Sequence, residues 1–91
     1  MKKLILYVNG MGPRSVAAAG NLKSACDHHA PGEYEIEVID VRTRPAVARE
    51  QNLVALPSLL GDLPPPLRKV VGDLANLEEV IGVLRRSQGT T

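Results

Sequence analysis

Lys3-Leu4-Ile5-Leu6-Tyr7-Val8-Asn9-Gly10-Met11-Gly12-Pro13-Arg14-Ser15 changes its hydrophobic period within a single stretch. Leu4 to Val8 is an unbroken apolar run, the mark of a strand covered on both faces. Asn9-Gly10-Met11-Gly12 is a turn signal, and Pro13 suits the first turn of a helix, where its missing N–H would have no partner. Beyond Ser15, Val16, Ala19, Leu22 and Cys26 fall at helical spacing, with Arg14, Asn21, Lys23 and Asp27 between them. His28 and His29 stand at the electronegative end of that helix, and Pro31-Gly32 stops it.

Outward from this unit, Tyr34 to Val41 reads as a second strand. Its acidic face, Glu33, Glu35 and Glu37, points to an edge or to exposure on one side. Arg44 to Gln51, opened by Pro45, is a short polar helix. Strand, helix and strand within so short a span predict a βαβ unit with parallel strands. Leu53 to Leu60 is a third strand broken at Pro57, which cannot donate to a ladder. Pro64-Pro65-Pro66 is stiff and extended, and Leu67 to Val71 is a last strand ended by Gly72-Asp73. Asn76 with Glu79 resembles a capping box ahead of a Leu77, Val80, Ile81, Leu84 stripe, with Arg85 and Arg86 in the last turn and 87–91 as a frayed tail. The order β-α-β-α-β-β-α, with a proline before the third strand, resembles a thioredoxin-like fold: an α/β mixed sheet with helices on both faces.

Composition narrows the function. Ninety-one residues form one small domain, 1–91, with about 3–86 ordered. With 44% hydrophobic and 23% charged residues the chain is globular, and its core is aliphatic, because Tyr7 and Tyr34 are the only aromatics. A net charge of +1 provides no bulk field for nucleic acid or membrane, and no apolar run reaches the length of a bilayer. The short Leu4-Ile5-Leu6 segment after two lysines is no secretory leader, so the expected location is cytoplasmic. One cysteine excludes an internal disulfide and suits a reducing compartment.

The chemistry-bearing residues form no active site. A thioredoxin-like redox enzyme needs a low-pKa thiolate at the start of its first helix, usually in C-x-x-C. Here Met11-Gly12-Pro13-Arg14-Ser15 occupies that place, and Cys26 lies near the far end of the helix as a small core residue. A thiol-disulfide oxidoreductase is therefore the weaker alternative. His28 and His29 point about 100° apart on a helix and cannot easily share one ion. Gly10-Met11-Gly12 lacks both the third glycine of a dinucleotide loop and the lysine of a P-loop, and reads as a plain turn. No catalytic residue, metal or cofactor is expected. The basic pairs Lys2-Lys3, Arg42/Arg44 and Arg68-Lys69 lack interleaved aromatics, so nucleic-acid binding has no support.

Leu6-Tyr7-Val8-x-Gly10, Pro13-x-Ser15-Val16, Glu37-Val38-Ile39-Asp40-Val41, Ala55-x-Pro57 and Leu63-Pro64-Pro65-Pro66-Leu67-Arg68-Lys69-Val70-Val71-Gly72-Asp73-Leu74 together resemble the KaiB family. The match runs from about Lys3 to Leu84, and the segment from Leu63 to Leu74 is its most specific part. The resemblance, to a family with members in bacteria that lack a circadian clock, implies a non-enzymatic protein that docks on the hexameric ring of a KaiC-like ATPase while in the thioredoxin-like fold, regulating clock or stress-related signalling. It also implies possible partners in a KaiA-like protein or a histidine kinase, whose sensor domain is similar, and self-association as dimer or tetramer. Arg68, Lys69, Asn9 and Pro13 are the expected partner contacts.

Family members can adopt a second fold with a rearranged C-terminal half. Pro57, Gly72, Asp73, Val83 and Arg85 are the expected determinants of fold state. The oscillator proteins carry Gly and Asp where Val83 and Arg85 stand. A lysine after their second helix is Asn52 here, and an arginine of their first helix is Ala17. These departures predict a chain held in the thioredoxin-like state.

Overall fold

The computed structural model describes residues 1–63 and 67–89, the side chains of Arg85 and of 87–89 excepted. The Pro64-Pro65-Pro66 run, the Arg85 side chain and residues 90–91 lie outside the described residues. The elements are β1 (Lys2–Val8), α1 (Pro13–His29), β2 (Tyr34–Asp40), α2 (Pro45–Glu50), β3 (Ser58–Gly61), β4 (Val70–Val71) and α3 (Leu77–Gly89). They form a mixed sheet in the order β2-β1-β3-β4, with β1 and β2 parallel and both β1–β3 and β3–β4 antiparallel.

β2 is an edge strand, as its glutamates predict. Lys3 Nζ reaches Glu37 Oε1 at 2.8 Å across the β1–β2 pair, and Lys2 Nζ lies 5.8 Å from the Tyr34 ring centroid. Both contacts tie side chains of the edge strand to its neighbour β1.

The continuous apolar run of β1 serves two cores. Leu4, Leu6 and Val8 face α1 and α3, meeting Ala18, Leu22, Ala25, Leu59, Leu63, Leu74, Leu77 and Ile81. On the opposite face Tyr7, Ile39 and Val41 gather the half-buried Ile5, Val47, Ala48, Leu53, Leu56 and Leu60, with α2 as cover. Alternate side chains of one strand thus enter different layers, which is why the sequence shows no alternation there.

Three local expectations need correction. The buried stripe of α1 is Ser15, Ala18, Leu22, Ala25 and Cys26, while Val16 is 54% exposed. Small residues let the helix approach the sheet closely, and the larger Val16 is excluded from that seam. β3 starts only at Ser58, because Pro57 has no N–H for a ladder. β4 shrinks to two residues, paired as Ser58↔Val71 and Leu59↔Val70.

At the start of α3, the Asp73 carboxylate accepts the Ala75 N–H at 3.0 Å and the Asn76 carbonyl accepts the Val80 N–H at 3.0 Å. An Asx turn at Asp73, three residues before Asn76, therefore holds the approach to the helix where a capping box is predicted. The helix itself runs through Gly89, past the Ser87 limit read from sequence.

Candidate functional site

The strand ends converge on the first turn of α1. Gly10, at φ +76°, carries the chain out of β1 in a conformation that favours glycine. Its N–H donates to Asp40 Oδ1 at 3.2 Å; Asp40 also accepts the Arg42 backbone N–H at 2.9 Å and the Arg42 guanidinium at 3.0–3.3 Å. One carboxylate thereby ties the β1–α1 turn to the end of β2. Any side chain at residue 10 would meet Arg42 Cζ at 2.9 Å from its Cβ.

The hydrogen bonds from the Arg42 side chain, then those from the Arg42 and Gly10 backbones, hold the Asp40 carboxyl at about 2, against an ordinary 3.8. A carboxyl depressed by folding stabilises the native state fully above its ordinary pKa. That contribution fades as pH falls through the folded value. Between pH 4 and 2, then, the wild-type chain is expected to lose thermal stability more steeply than Asp40→Asn, as read from melting temperatures across that range.

Across the turn from α1 lies a groove of about 470 Å³, walled by Asn9, Gly12, Pro13, Arg14 and Ser15 on one side and Leu53 to Pro57 on the other. Asn9 and Pro13, both singled out in the sequence, therefore meet in one feature. Lys69 touches its rim: Nζ donates to the Asn52 carbonyl at 3.3 Å, one residue ahead of the groove wall. Asn52 sits at φ +57°, a left-handed conformation that asparagine tolerates. Arg68 is exposed.

Pro57 and Gly72 are joined directly, since the Gly72 N–H donates to the Pro57 carbonyl at 2.8 Å. The Asp73 carbonyl accepts Asn21 Nδ2 of α1 at 2.8 Å, which ties the same turn to the first helix. Val83 is 48% exposed on α3.

Sequence reasoning missed the Leu53–Leu56 wall, because four apolar residues before a proline look like strand. Val54 is in fact 97% exposed. It also passed over Arg14, whose guanidinium lies over Gly72; a Cβ at that glycine would sit 3.6 Å from Nη2. The Asp40-Val41-Arg42 spacing after a strand was the available signal for the clamp.

Thiol chemistry has no place here. Cys26 is 8% exposed within the α1 seam, and burial together with Asp27 pushes its thiol up, away from the reactive thiolate. His28 and His29 instead pin α1 to α3. His28 Nδ1 pairs with Glu78 Oε1, and His29 Nε2 lies 4.0 Å from the same oxygen.

A sequence profile described as the KaiB domain matches residues 5–86. The chain belongs to the KaiB family. Among similar KaiB proteins, the circadian clock oscillator protein KaiB of Microcystis aeruginosa is 44% identical over 78 residues, 86% of this chain and 75% of that protein. The circadian clock protein KaiB3 of a Synechocystis strain is 37% identical over 78 residues, 86% of this chain and 76% of that protein. These KaiB relatives are named as clock proteins, not as enzymes.

Solved structures agree on the thioredoxin-like fold of this KaiB-family chain. The N-terminal domain of Synechococcus elongatus SasA superposes with a TM-score of 0.72 at 20% identity, covering 99% of this chain and 87% of that domain. Chloroplastic thioredoxin z gives 0.69 at 18% identity, covering 94% and 80%. No described helix is long and apolar enough to cross a membrane.

Proposed function

We propose that this KaiB-family chain is a non-enzymatic docking module that binds the hexameric ring of a KaiC-like ATPase in the cytoplasm. Arg68, Lys69, Asn9 and Pro13 supply contacts around the groove mouth. The observation that carries this reading is Val54, 97% exposed in the wall of a groove whose opposite side holds no thiol. A branched apolar side chain held fully in water at the lip of a groove, with Met11 and Val16 also more than half exposed, suits burial against a protein. The basic pair beside it suits an acidic rim on the partner.

The reading includes residence in the thioredoxin-like state. Pro57, Gly72 and Asp73 lie in the contacts that fasten β4 to the loop before β3 and to α1. Val83 and Arg85 favour helix over the alternative C-terminal arrangement, Val83 by avoiding a helical glycine and Arg85 by its charge near the helix end.

Pull-down with a KaiC-like ring tests the proposal. Reversing both charges, Arg68→Glu with Lys69→Glu, is expected to weaken capture about tenfold, equivalent to roughly 1.4 kcal/mol. Unchanged capture refutes the assignment of these residues. The same assay run with a KaiA-like protein and with a histidine kinase tells which clock partner this chain prefers.

A further inference from the structure

Resting on the docking reading, we infer that the groove beside α1 takes an extended, carboxylate-bearing segment of the partner protein, which lays its main chain along residues 54–56. Leu53 to Leu56 belong to neither helix nor strand and form one wall of the groove. The Leu53 N–H donates to the Ala48 carbonyl at 2.8 Å, and the Ala55 carbonyl accepts the Ser58 hydroxyl. The rest of this short stretch is unused. The N–H groups of Val54, Ala55 and Leu56 and the carbonyls of Val54 and Leu56 have no partner among the described residues. Val54 and Ala55 are exposed, so a second chain can reach this backbone.

Unpaired backbone favours one kind of guest. A helix satisfies its own N–H and carbonyl groups and would leave this wall without partners. An extended chain carries free donors and acceptors along its edges, and pairing them with an open stretch of backbone is a recurring mode of peptide capture. Its alternate side chains would then lie over Val54, which at 97% exposure gains most from cover.

Charge narrows the guest further. Among the described residues Arg14 is the one charged residue in the groove walls, and it has neither an ion pair nor a hydrogen-bond partner. The Lys69 ammonium stands at the Asn52 carbonyl, one residue before the wall, with that neutral oxygen as its partner. Asp40, the acid tied to the β1–α1 turn, is held by Arg42 and Gly10. Two cations left unmatched by an acid call for carboxylates on the guest, and a guanidinium takes a carboxylate in bidentate fashion. With a net charge of +1 and no basic stripe, the same cations make no track for nucleic acid.

The test is NMR titration of the isotope-labelled chain, at fixed ionic strength, with the capped pentapeptide Val-Glu-Val-Glu-Val and with its charge-inverted form Val-Lys-Val-Lys-Val. Saturable shifts of the Val54, Ala55 and Leu56 amides are expected with the acidic peptide, and about tenfold weaker binding of the basic one. Arg14→Glu, at an exposed position, is expected to weaken the acidic peptide about tenfold. Methylating the peptide nitrogens one at a time keeps charge and side chains but removes a main-chain donor. Binding is expected to fall about fivefold at alternate positions only, because one edge of an extended chain meets the wall. Linear shifts with the acidic peptide, equal binding of the two peptides, indifference to Arg14→Glu, or methylation without that alternation overturns the inference. Capture by a KaiC-like ring alongside linear peptide shifts refutes this inference alone. Peptide saturation without ring capture refutes the choice of ring and leaves the groove's occupant standing.

Discussion

Leu59→Ala is expected to remove about 2–5 kcal/mol of folding stability, the range for deleting a fully buried leucine. Leu59 is 0% exposed and sits in the middle of the sheet, paired with Leu6 of β1 on one side and Val70 of β4 on the other. Its side chain faces the α1–α3 core, where the neighbouring leucines and alanines belong to three different elements and cannot all close a hole at once. Small domains have total stabilities near the low end of about 5–15 kcal/mol. A loss of this size lowers the melting temperature by roughly 10 °C or more. Val54→Ala is the matched control. Its side chain is almost wholly in water, so stability should change by less than about 0.5 kcal/mol. Equal melting temperatures for Leu59→Ala and wild type would contradict the described core.

Gly61→Ala is expected to be as damaging, by a different route. Gly61 has φ +119°, a conformation open to glycine and strained for any other residue. A Cβ there would lie 2.4 Å from the Lys3 carbonyl oxygen and 3.0 Å from Leu4 Cα, both backbone atoms of β1. Neither can move without parting β1 from β3. The same corner holds the Asp62 N–H to Lys3 carbonyl bond at 2.9 Å and the return bond from the Lys3 N–H to Asp62 Oδ2 at 2.9 Å. Strain of about 1–3 kcal/mol plus the loss of these bonds puts the cost at roughly 3 kcal/mol or more. Gly20→Ala provides the contrast. It lies within α1 with open space around the would-be Cβ, so the same chemical change should stabilise by about 0.5–1 kcal/mol. Thermal melts of the two variants should move in opposite directions.

Element types and their order are legible in the residues because each change of hydrophobic period is abrupt: Val8 to Pro13, Gly32 to Tyr34, Val41 to Pro45. The parallel β1–β2 pairing and the edge position of β2 follow from the crossover and the glutamates. What periodicity cannot reveal is which of two neighbouring apolar residues turns inward. Val16 outranks Ala18 in hydrophobicity, yet close helix–sheet packing favours the smaller side chain. Strand limits at Pro57 and Val70 depend on hydrogen bonds between distant segments, so Leu53–Leu56 and Leu67–Lys69 look like strand until the sheet is assembled. Asn9 and Pro13 are recognisable as turn residues, but the opposing groove wall comes from forty residues downstream and only the fold brings it near. Arg14 escapes notice for the same reason: an arginine in a helical turn carries no pattern of its own.

The 53–56 segment alternates its loyalties. Leu53 and Leu56 form the roof of the smaller core beneath α2, while Val54 and Ala55 between them face outward along the groove. Grip on the outward pair by another molecule pulls, through the same few peptide bonds, on the two leucines that keep water from Tyr7 and Ile39. Recognition at the lip and the integrity of that inner layer are thereby mechanically linked, so an association that strains this segment is opposed by the fold, and one that accepts its shape reinforces it.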